Sequence, residues 1–480
     1  MKRAVCIVGG GAAAVSLLDA LQRHGDHYDV TIVEPADTLG PGRAYQADSD
    51  SALLNQQAGR MSLRNSEPDH FIKWVRGHDE QFSTAENSEF LPRRLFGQYL
   101  NFHAHRTLES LRESGSDVRI IRDVVTSAHE DFGGVWLGTA GGTTFRSDRV
   151  VLCTGTGGPV DAYELAKQPG YVHDPYPLRD QLPDVAADRD VLVLGTGLTA
   201  VDIALYLLDR GHRGAISMLS RRGVLPAVRS FAAARPLRYL TGDALAAGMS
   251  CGRLLRELRN ELRAAGFDVA EAARDLGVGE PAHQRLARQV AAGDVPWQPT
   301  LIQAAMQSIE RLWPLLPARE RDRFMRRWHH VFNSLVNPMP PRTAHRLLSA
   351  MDAGQLTVHS GVNSVVRDSD GFLATTMSGQ VRGDLVVNAI REETGITNIA
   401  STALLDGLIG DGAARVHPYG GIDVDPGTNA ILDRAGVPSS RLFALGQLTC
   451  GVHYYTSSMT MITRRAAMLA GELSPAMAVR

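Results

Sequence analysis

Two stretches of this chain follow one plan, and together they leave few folds open. AVCIVGGGAAAVSLLDAL spans residues 4–21 and VLVLGTGLTAVDIAL spans residues 191–205. In the first, residues 4–8 read as a strand, Gly9 to Gly11 as a tight turn, and Ala12 to Arg23 as a helix with Leu17, Leu18 and Leu21 on one side. YDVTIVEP at 28–35 supplies the next strand and completes a β-α-β unit. The pattern restarts after Pro183, with strands at 191–194 and 215–219 enclosing a helix. Short apolar strands alternating with helices predict an α/β chain, its parallel sheets covered by helices.

The spacing inside each turn indicates what it holds. The first is Gly9-x-Gly11-x-x-Ala14 and the second Gly195-x-Gly197-x-x-Ala200. The first glycine of such a turn permits the sharp bend, the second lets a pyrophosphate approach the backbone, and the small third residue lets helix and strand pack closely. The helix then offers unpaired N–H groups and a partial positive charge to the phosphates. Glu34 closes the second strand of the first unit, where a carboxylate accepts hydrogen bonds from a ribose hydroxyl. In the second unit SMLSRRG sets Ser220, Arg221 and Arg222 in that place. A carboxylate repels a ribose 2′-phosphate, whereas two guanidiniums and a hydroxyl bind it through charge-assisted hydrogen bonds. One unit with an acid and one with a basic pair predict two Rossmann-like dinucleotide-binding domains, FAD in the first and NADPH in the second. Hydride passes from nicotinamide to flavin, so one chain must hold both.

At 480 residues the chain exceeds what one hydrophobic core supports. The expected division is a first FAD-binding part at 1–183, an NADPH-binding domain at 184–344, and a second FAD-binding part at 345–480. A helical insertion is expected at about 245–335, where Ala, Leu, Arg and Glu dominate and Leu254, Leu255, Leu258 and Leu262 recur at helical intervals. Lys+Arg 50 against Asp+Glu 52 leaves a net charge of -2, with no positive excess for nucleic acid or an anionic membrane. No stretch approaches the roughly 20 uninterrupted apolar residues that span a bilayer. Lys2 and Arg3 precede an apolar run like a secretory leader, but three glycines break it and Asp19 follows. Cys6, Cys153, Cys251 and Cys450 form no CxxC, which argues against a zinc site, a disulfide scaffold or a dithiol relay. Free thiols fit a cytoplasmic protein.

IVGGGAAAVSLL, GPGRAYQ, LLNQQAGRMSL, FLPRRLFGQYL, LCTGTGGP, LVLGTGLTAVD, SRRGVLP and LFALGQLTCG together resemble the two-dinucleotide-binding flavoproteins with the glutathione-reductase-like fold. Within that group the chain is similar to the bacterial FAD/NAD(P)-binding proteins that include the nitrosuccinate synthases, flavin monooxygenases that oxidise an amino group. The resemblance implies that Gly40 to Tyr45, with Pro41 and Gly42, and Leu53 to Ser62 run along the flavin, bringing Tyr45, Asn55 and Met61 beside the ring. It implies Arg93 or Arg94 near the adenine, and Cys153 to Gly157, with Thr154 and Gly155, at the crossing between domains. It also matches Leu445-Gly446-Gln447 to a segment where related flavoproteins usually carry an Asp on the ribityl chain. Gln447 stands there instead. The helix that follows, expected near Thr456 to Leu473, would aim its N-terminal dipole at the flavin pyrimidine.

The function this implies is an FAD-dependent, NADPH-consuming monooxygenase. Its reaction would be N-hydroxylation of an amine or amino acid by molecular oxygen through a flavin hydroperoxide. The alternatives are an NADPH oxidoreductase serving another acceptor and a flavin-binding redox sensor. The FxGxxxHxxxWP signature of Baeyer-Villiger enzymes is absent, as are HExxH and GxxxxGK[ST]. Substrate contacts are sought in His453, Tyr454 and Tyr455, which precede the helix expected to face the flavin, although tyrosines also pack well in a core. Asn333, Asn337 and Arg342 are further candidates for a carboxylate or amide, although NPMPP also reads as a helix stop. WHH at 328–330 suggests no metal site, because adjacent side chains on a helix point about 100 degrees apart.

Overall fold

The computed structural model describes residues 3–25, 27–155, 157–183, 185–241, 250–276, 279–390 and 402–474. The chain opens with β1 (Arg3–Val8), α1 (Ala12–His24) and β2 (Tyr28–Val33). Helices α2 (His70–His78) and α3 (Arg93–Glu113) lead to β3 (Val118–Ile121). A meander of β4 (Val125–Glu130), β5 (Val135–Thr139) and β6 (Thr144–Ser147) then leads to β7 (Arg149–Leu152). After β8 (Tyr171–Val172) and α4 (Leu178–Gln181) the plan restarts with β9 (Val191–Leu194), α5 (Leu198–Asp209) and β10 (Ile216–Leu219). Next come α6 (Cys251–Ala264), α7 (Val269–Leu276), α8 (Ala282–Ala292), α9 (Trp297–Leu312), α10 (Ala318–Arg327), α11 (His329–Val336) and α12 (Pro341–Asp352). Strand β11 (Leu356–His359), a second meander of β12 (Ser364–Asp368), β13 (Gly371–Thr376) and β14 (Gly379–Gly383), and β15 (Leu385–Asn388) follow. The chain ends with α13 (Thr402–Gly410), β16 (Ala430–Leu432), β17 (Pro438–Ala444), α14 (Cys450–His453) and α15 (Met459–Leu473).

These elements form two compact units, Met1–Asp50 with Gln56–Gly158 and Glu392–Arg480, and Ser51–Asn55 with Pro159–Arg391. The first sheet runs β16-β17-β7-β1-β2-β3, parallel from β17 onward, and the second runs β11-β10-β9-β15-β8, parallel throughout. Each sheet is therefore built by the same route. A strand, glycine turn, helix and strand come first, then helices, then an edge strand, a three-stranded meander, and a strand that returns beside the first. The apolar sequence dictates this layering. Residues Cys6 to Val8 and all of β9 are buried, and Leu17, Leu18 and Leu21 of α1 are at most 1% exposed. Each such side chain contributes about 1.5–3 kcal/mol by leaving water.

The units divide the chain differently from the 1–183, 184–344 and 345–480 expectation. Residues 345–391 fold with the second unit, because β11 pairs with β10 and β15 with β9. Residues 159–183 join it through the pairing of β8 with β15. Ser51–Asn55 joins it too, with Ala52 in its core. The expected insertion at 245–335 carries the helices α6 to α11 joined by short turns, and residues 245–249 and 277–278 lie outside the described residues. The last long helix begins at Met459 rather than Thr456. Among the described residues no helix is long and apolar enough to cross a membrane.

Candidate functional site

In the first unit the parallel register brings four distant segments to one sheet edge. Val8 pairs with Val33 and Leu152, and Leu152 pairs with Ala444, so the residues that follow each strand gather there. They are Gly9 to Gly11, Glu34, Cys153 to Gly155, and Leu445 to Gln447. Backbone hydrogen bonds extend the ladder past the strands, from Gly9 N to Val33 O (2.8 Å), Cys153 N to Val8 O (2.7 Å) and Leu445 N to Leu152 O (2.9 Å). Gly9 has φ +99°, and a Cβ there would lie 2.5 Å from the Cys153 carbonyl oxygen, so the turn admits only glycine. Gly11 caps α1 with no side-chain hydrogen bond, and its only near neighbour in Cβ range is Gly42 Cα at 3.7 Å. Ala14 is buried against the strand layer.

Three observations fit a dinucleotide at this edge. The N-terminus of α1 is uncapped, which leaves N–H donors and dipole for a phosphate. Thr154 Oγ1 is buried and has no hydrogen-bond partner among the described residues. Glu34 stands at the end of β2, its Oε2 accepting from Gly10 N at 2.6 Å and its Oε1 from Ala36 N at 3.0 Å. Those two bonds fix the carboxylate in place and leave it acceptor capacity for a ribose.

The segment after β2 is held against this edge. Gly40 N donates to Gly10 O at 2.7 Å, and Tyr45 N to Pro41 O at 3.1 Å. The Tyr45 ring meets Phe96 edge-on at 4.8 Å, and its backbone carbonyl lies over Gly97 of α3 so closely that any Cβ there would overlap it. Burial pushes the Tyr45 hydroxyl up to about 12, against a small opposing pull from Arg93. Met61 is buried, and Leu63 N donates to Tyr99 Oη at 3.0 Å. Arg93 opens α3, whereas Arg94 is committed to Asp50 through hydrogen bonds of 2.5 and 3.1 Å. Asn55 belongs to the second unit. Its carbonyl accepts from Arg229 Nη2 at 2.6 Å and its Nδ2 donates to Asn337 Oδ1 at 3.4 Å.

The second unit repeats three of these bonds. Gly195 N donates to Leu219 O (2.7 Å) as Gly9 does to Val33, and Ala389 N to Leu194 O (2.8 Å) as Cys153 does to Val8. Ser220 N donates to His359 O (3.1 Å) as Glu34 N does to Ile121 O (3.0 Å). Ser220 thus occupies the register position of Glu34. Gly195 has φ +126°, with a would-be Cβ 2.7 Å from Ala389 O, Gly197 caps α5 without a side-chain bond, and Ala200 is buried.

The two arginines then part company. Arg221 is exposed, and its guanidinium makes no hydrogen bond or ion pair among the described residues. Arg222 reaches α10 and α11, with Nη1 2.8 Å from His330 Nε2 and Nη2 donating to Arg326 O at 2.9 Å. Burial and the neighbouring Arg222 lower the His330 pKa, so its neutral ring accepts that bond. Thr196, inside the glycine turn, donates to Val224 O (2.8 Å) and lies 3.2 Å from Ser220 Oγ, which accepts from Gly223 N at 2.9 Å. The basic pair is therefore one open cation and one anchored to the helices.

Residues 6–157 match the model of an FAD-NAD(P)-binding family. The structure of DfoA bound to FAD, the cadaverine monooxygenase of the desferrioxamine pathway from Erwinia amylovora, is 16% identical, with a TM-score of 0.62 over 98% of this chain and 94% of that one. L-lysine 6-monooxygenase from Pseudomonas syringae is 15% identical, with a TM-score of 0.60 over 98% of each chain. Uncharacterized protein YdhS of Escherichia coli K12 is 22% identical over 416 residues, 74% of this chain and 76% of its own. The chain has the two-dinucleotide flavoprotein fold. Its first unit carries the FAD-NAD(P)-binding domain.

The substrate candidates are divided between the two units, His453, Tyr454 and Tyr455 in the first and Asn333, Asn337 and Arg342 in the second. Gln447 sits at the first unit's edge, its Oε1 accepting from Thr456 Oγ1 at 2.6 Å, and His453, Tyr454 and Tyr455 are buried in the loop between them. Asn333 lies on α11, with Nδ2 2.8 Å from His329 Nε2, and Arg342 is exposed in the first turn of α12. His329 and His330 thus face different partners. Thr196 was not singled out from the sequence, and His330 was weighed there only as part of a metal site and set aside. A hydroxyl between the two turn glycines was a legible signal for the first, and nothing local marked the bond of His330 to Arg222.

Proposed function

We propose that this chain is an FAD-dependent, NADPH-consuming monooxygenase acting on a small nucleophilic substrate, an amine or amino acid. The observation that carries the reading is the exchange of Glu34 for Ser220 at one register position, followed by the open Arg221 guanidinium. An acid there selects a bare ribose, and a hydroxyl with a cation selects a 2′-phosphate. Bound FAD supplies the two-electron carrier and the reactivity toward oxygen. The protein's part is to hold it: the α1 N-terminus faces the pyrophosphate, Glu34 the ribose, and Thr154 Oγ1 offers a hydroxyl beside them. In the second unit the α5 N-terminus, Ser220 and Arg221 hold NADPH. The amine class is supported by the fold's likeness to a cadaverine monooxygenase and a lysine 6-monooxygenase. The absence of any CxxC in the sequence weighs against a dithiol acceptor.

The test is NADPH consumption in air by the yellow protein, measured across a panel of amines and amino acids and repeated without oxygen. Substrate-stimulated, oxygen-coupled consumption with an oxygenated product is expected. Rapid anaerobic turnover with an added acceptor would instead make the protein a reductase. Gly11→Val, which fills the gap facing Gly42, should yield colourless protein. Full FAD content in that variant would refute the first-turn assignment.

A further inference from the structure

We propose that the exposed arginine face of α10 is an electrostatic guide that draws NADPH to the nucleotide site of the second unit. The inference rests on NADPH binding beside Ser220 and Arg221. Helix α10 reads ARERDRFMRR, and its residues divide by side. Arg319, Arg323, Arg326 and Arg327 are all exposed, and their spacing of i, i+4, i+7 and i+8 places them on one helix face. Phe324 lies opposite and is buried, its ring meeting Trp313 at 5.9 Å and Phe332 at 5.8 Å. The helix is therefore pinned by its apolar side, and the guanidiniums are left to water.

The acids of the same helix do not cancel this charge. Glu320 Oε2 accepts from Cys251 N at 2.8 Å, which turns the carboxylate toward α6, and Asp322 is half-buried. Arg323 keeps a loose contact of 3.6 Å with Glu320 Oε1, and Arg319, Arg326 and Arg327 form no ion pair among the described residues. The face ends at the nucleotide site. Arg222 Nη2 donates to Arg326 O at 2.9 Å, which sets the last turn of α10 against the residue that follows Arg221. At about 1.5 Å per residue, Arg319 stands about 10 Å further along the axis. The screening length is about 8 Å at physiological ionic strength, so the four charges act with Arg221 and Arg222 as one field. The chain as a whole carries a net charge of -2 and offers an anionic nucleotide no attraction. This corner reverses the sign locally, and such a field raises association rates by about 10- to 1,000-fold. A 2′-phosphate adds about two negative charges to the dinucleotide, so the guide favours NADPH over NADH before either touches the site.

The experiment measures the association and dissociation rates of NADP+ and NAD+ with FAD-loaded protein by stopped-flow tryptophan fluorescence, Trp328 at this corner serving as a reporter. Wild-type protein is compared, over a series of salt concentrations, with a triple variant carrying Arg319→Gln, Arg323→Gln and Arg327→Gln. At low salt the variant should bind NADP+ about tenfold more slowly and NAD+ about twofold more slowly, with dissociation rates unchanged. The wild-type rate should fall toward that of the variant as salt rises. Equal association rates in the two proteins, or a loss that lies in dissociation, overturn this inference while leaving the NADPH reading intact. A wild-type protein that binds NADP+ no better than NAD+ overturns both. If the triple variant does not fold, Arg327→Gln alone decides. A fall of about twofold in NADP+ association at low salt supports the guide, and an unchanged rate overturns it.

Discussion

Arg221 and Arg222 are neighbours in sequence with different surroundings, so their removal has different consequences. Arg221→Ala takes away the open cation beside Ser220 and should weaken NADPH binding by about 1.5–3 kcal/mol while sparing NADH. Arg222→Ala should cost NADPH less, because two of its nitrogens already bond His330 and Arg326 O. Titration of both nucleotides against both variants checks this, and equal losses of NADPH and NADH in Arg221→Ala would remove the 2′-phosphate role. The position of the basic pair was legible from the strand that precedes it. Its division was not, because His330 and Arg326 lie 108 and 104 residues further along. His453 gives a second test at this scale, with a definite sign. Its pKa falls from about 6.5 to about 3 on folding, so below about pH 6.5 the unfolded chain binds a proton that the folded chain refuses. Its contribution to stability is complete above that pH and declines as pH falls. Between pH 7 and 5 the wild-type protein should lose about 2 kcal/mol that His453→Phe does not lose, measured by urea unfolding at both values.

The elements were easier to find than their partners. Both glycine turns, their helices and the flanking strands could be read because apolar runs and turn glycines are local signals. The adjacency of β17 and β7 could not, since Leu442 and Val150 meet from opposite ends of the chain and both strands are merely short and apolar. The start of α15 was read three residues early because nothing in HYYTSS marks the left-handed Tyr454. Gly97 is the sharper omission. In mid-helix it looks like a neutral lapse in α3, yet its missing side chain is what lets the Tyr45 carbonyl rest on the helix. Gly97→Ala should lift the 41–45 segment from α3 at a cost of about 1–3 kcal/mol, the range for overpacking a close contact. The expected readouts are a lower melting temperature and reduced FAD per protein by absorbance. Unchanged values for both would mean that the segment is held by something other than α3.

At the scale of the whole molecule, one building plan is used twice, and the second copy closes before the first. Glycine turns announce where a unit begins, but no residue announces where it ends. LVVN of β15 carries no mark of the sheet it joins, and for that reason the sequence placed residues 345–391 with the wrong unit. The corrected division makes its own prediction. Each unit has its own buried core and its own uncapped helix N-terminus, so each nucleotide should stabilise the unit that holds it. A ligand at 100 times its dissociation constant adds about 2.7 kcal/mol to the folded form it binds. In calorimetry NADP+ should therefore raise the melting of the second unit by that much while leaving FAD release, followed by flavin fluorescence, in place. Arg221→Ala should shrink the NADP+ shift at the same concentration. A single transition in which FAD release and the NADP+ shift move together would show that the two units melt as one body. In that case the stabilisation by each nucleotide would be shared through the whole chain instead of confined to the fold that grips it.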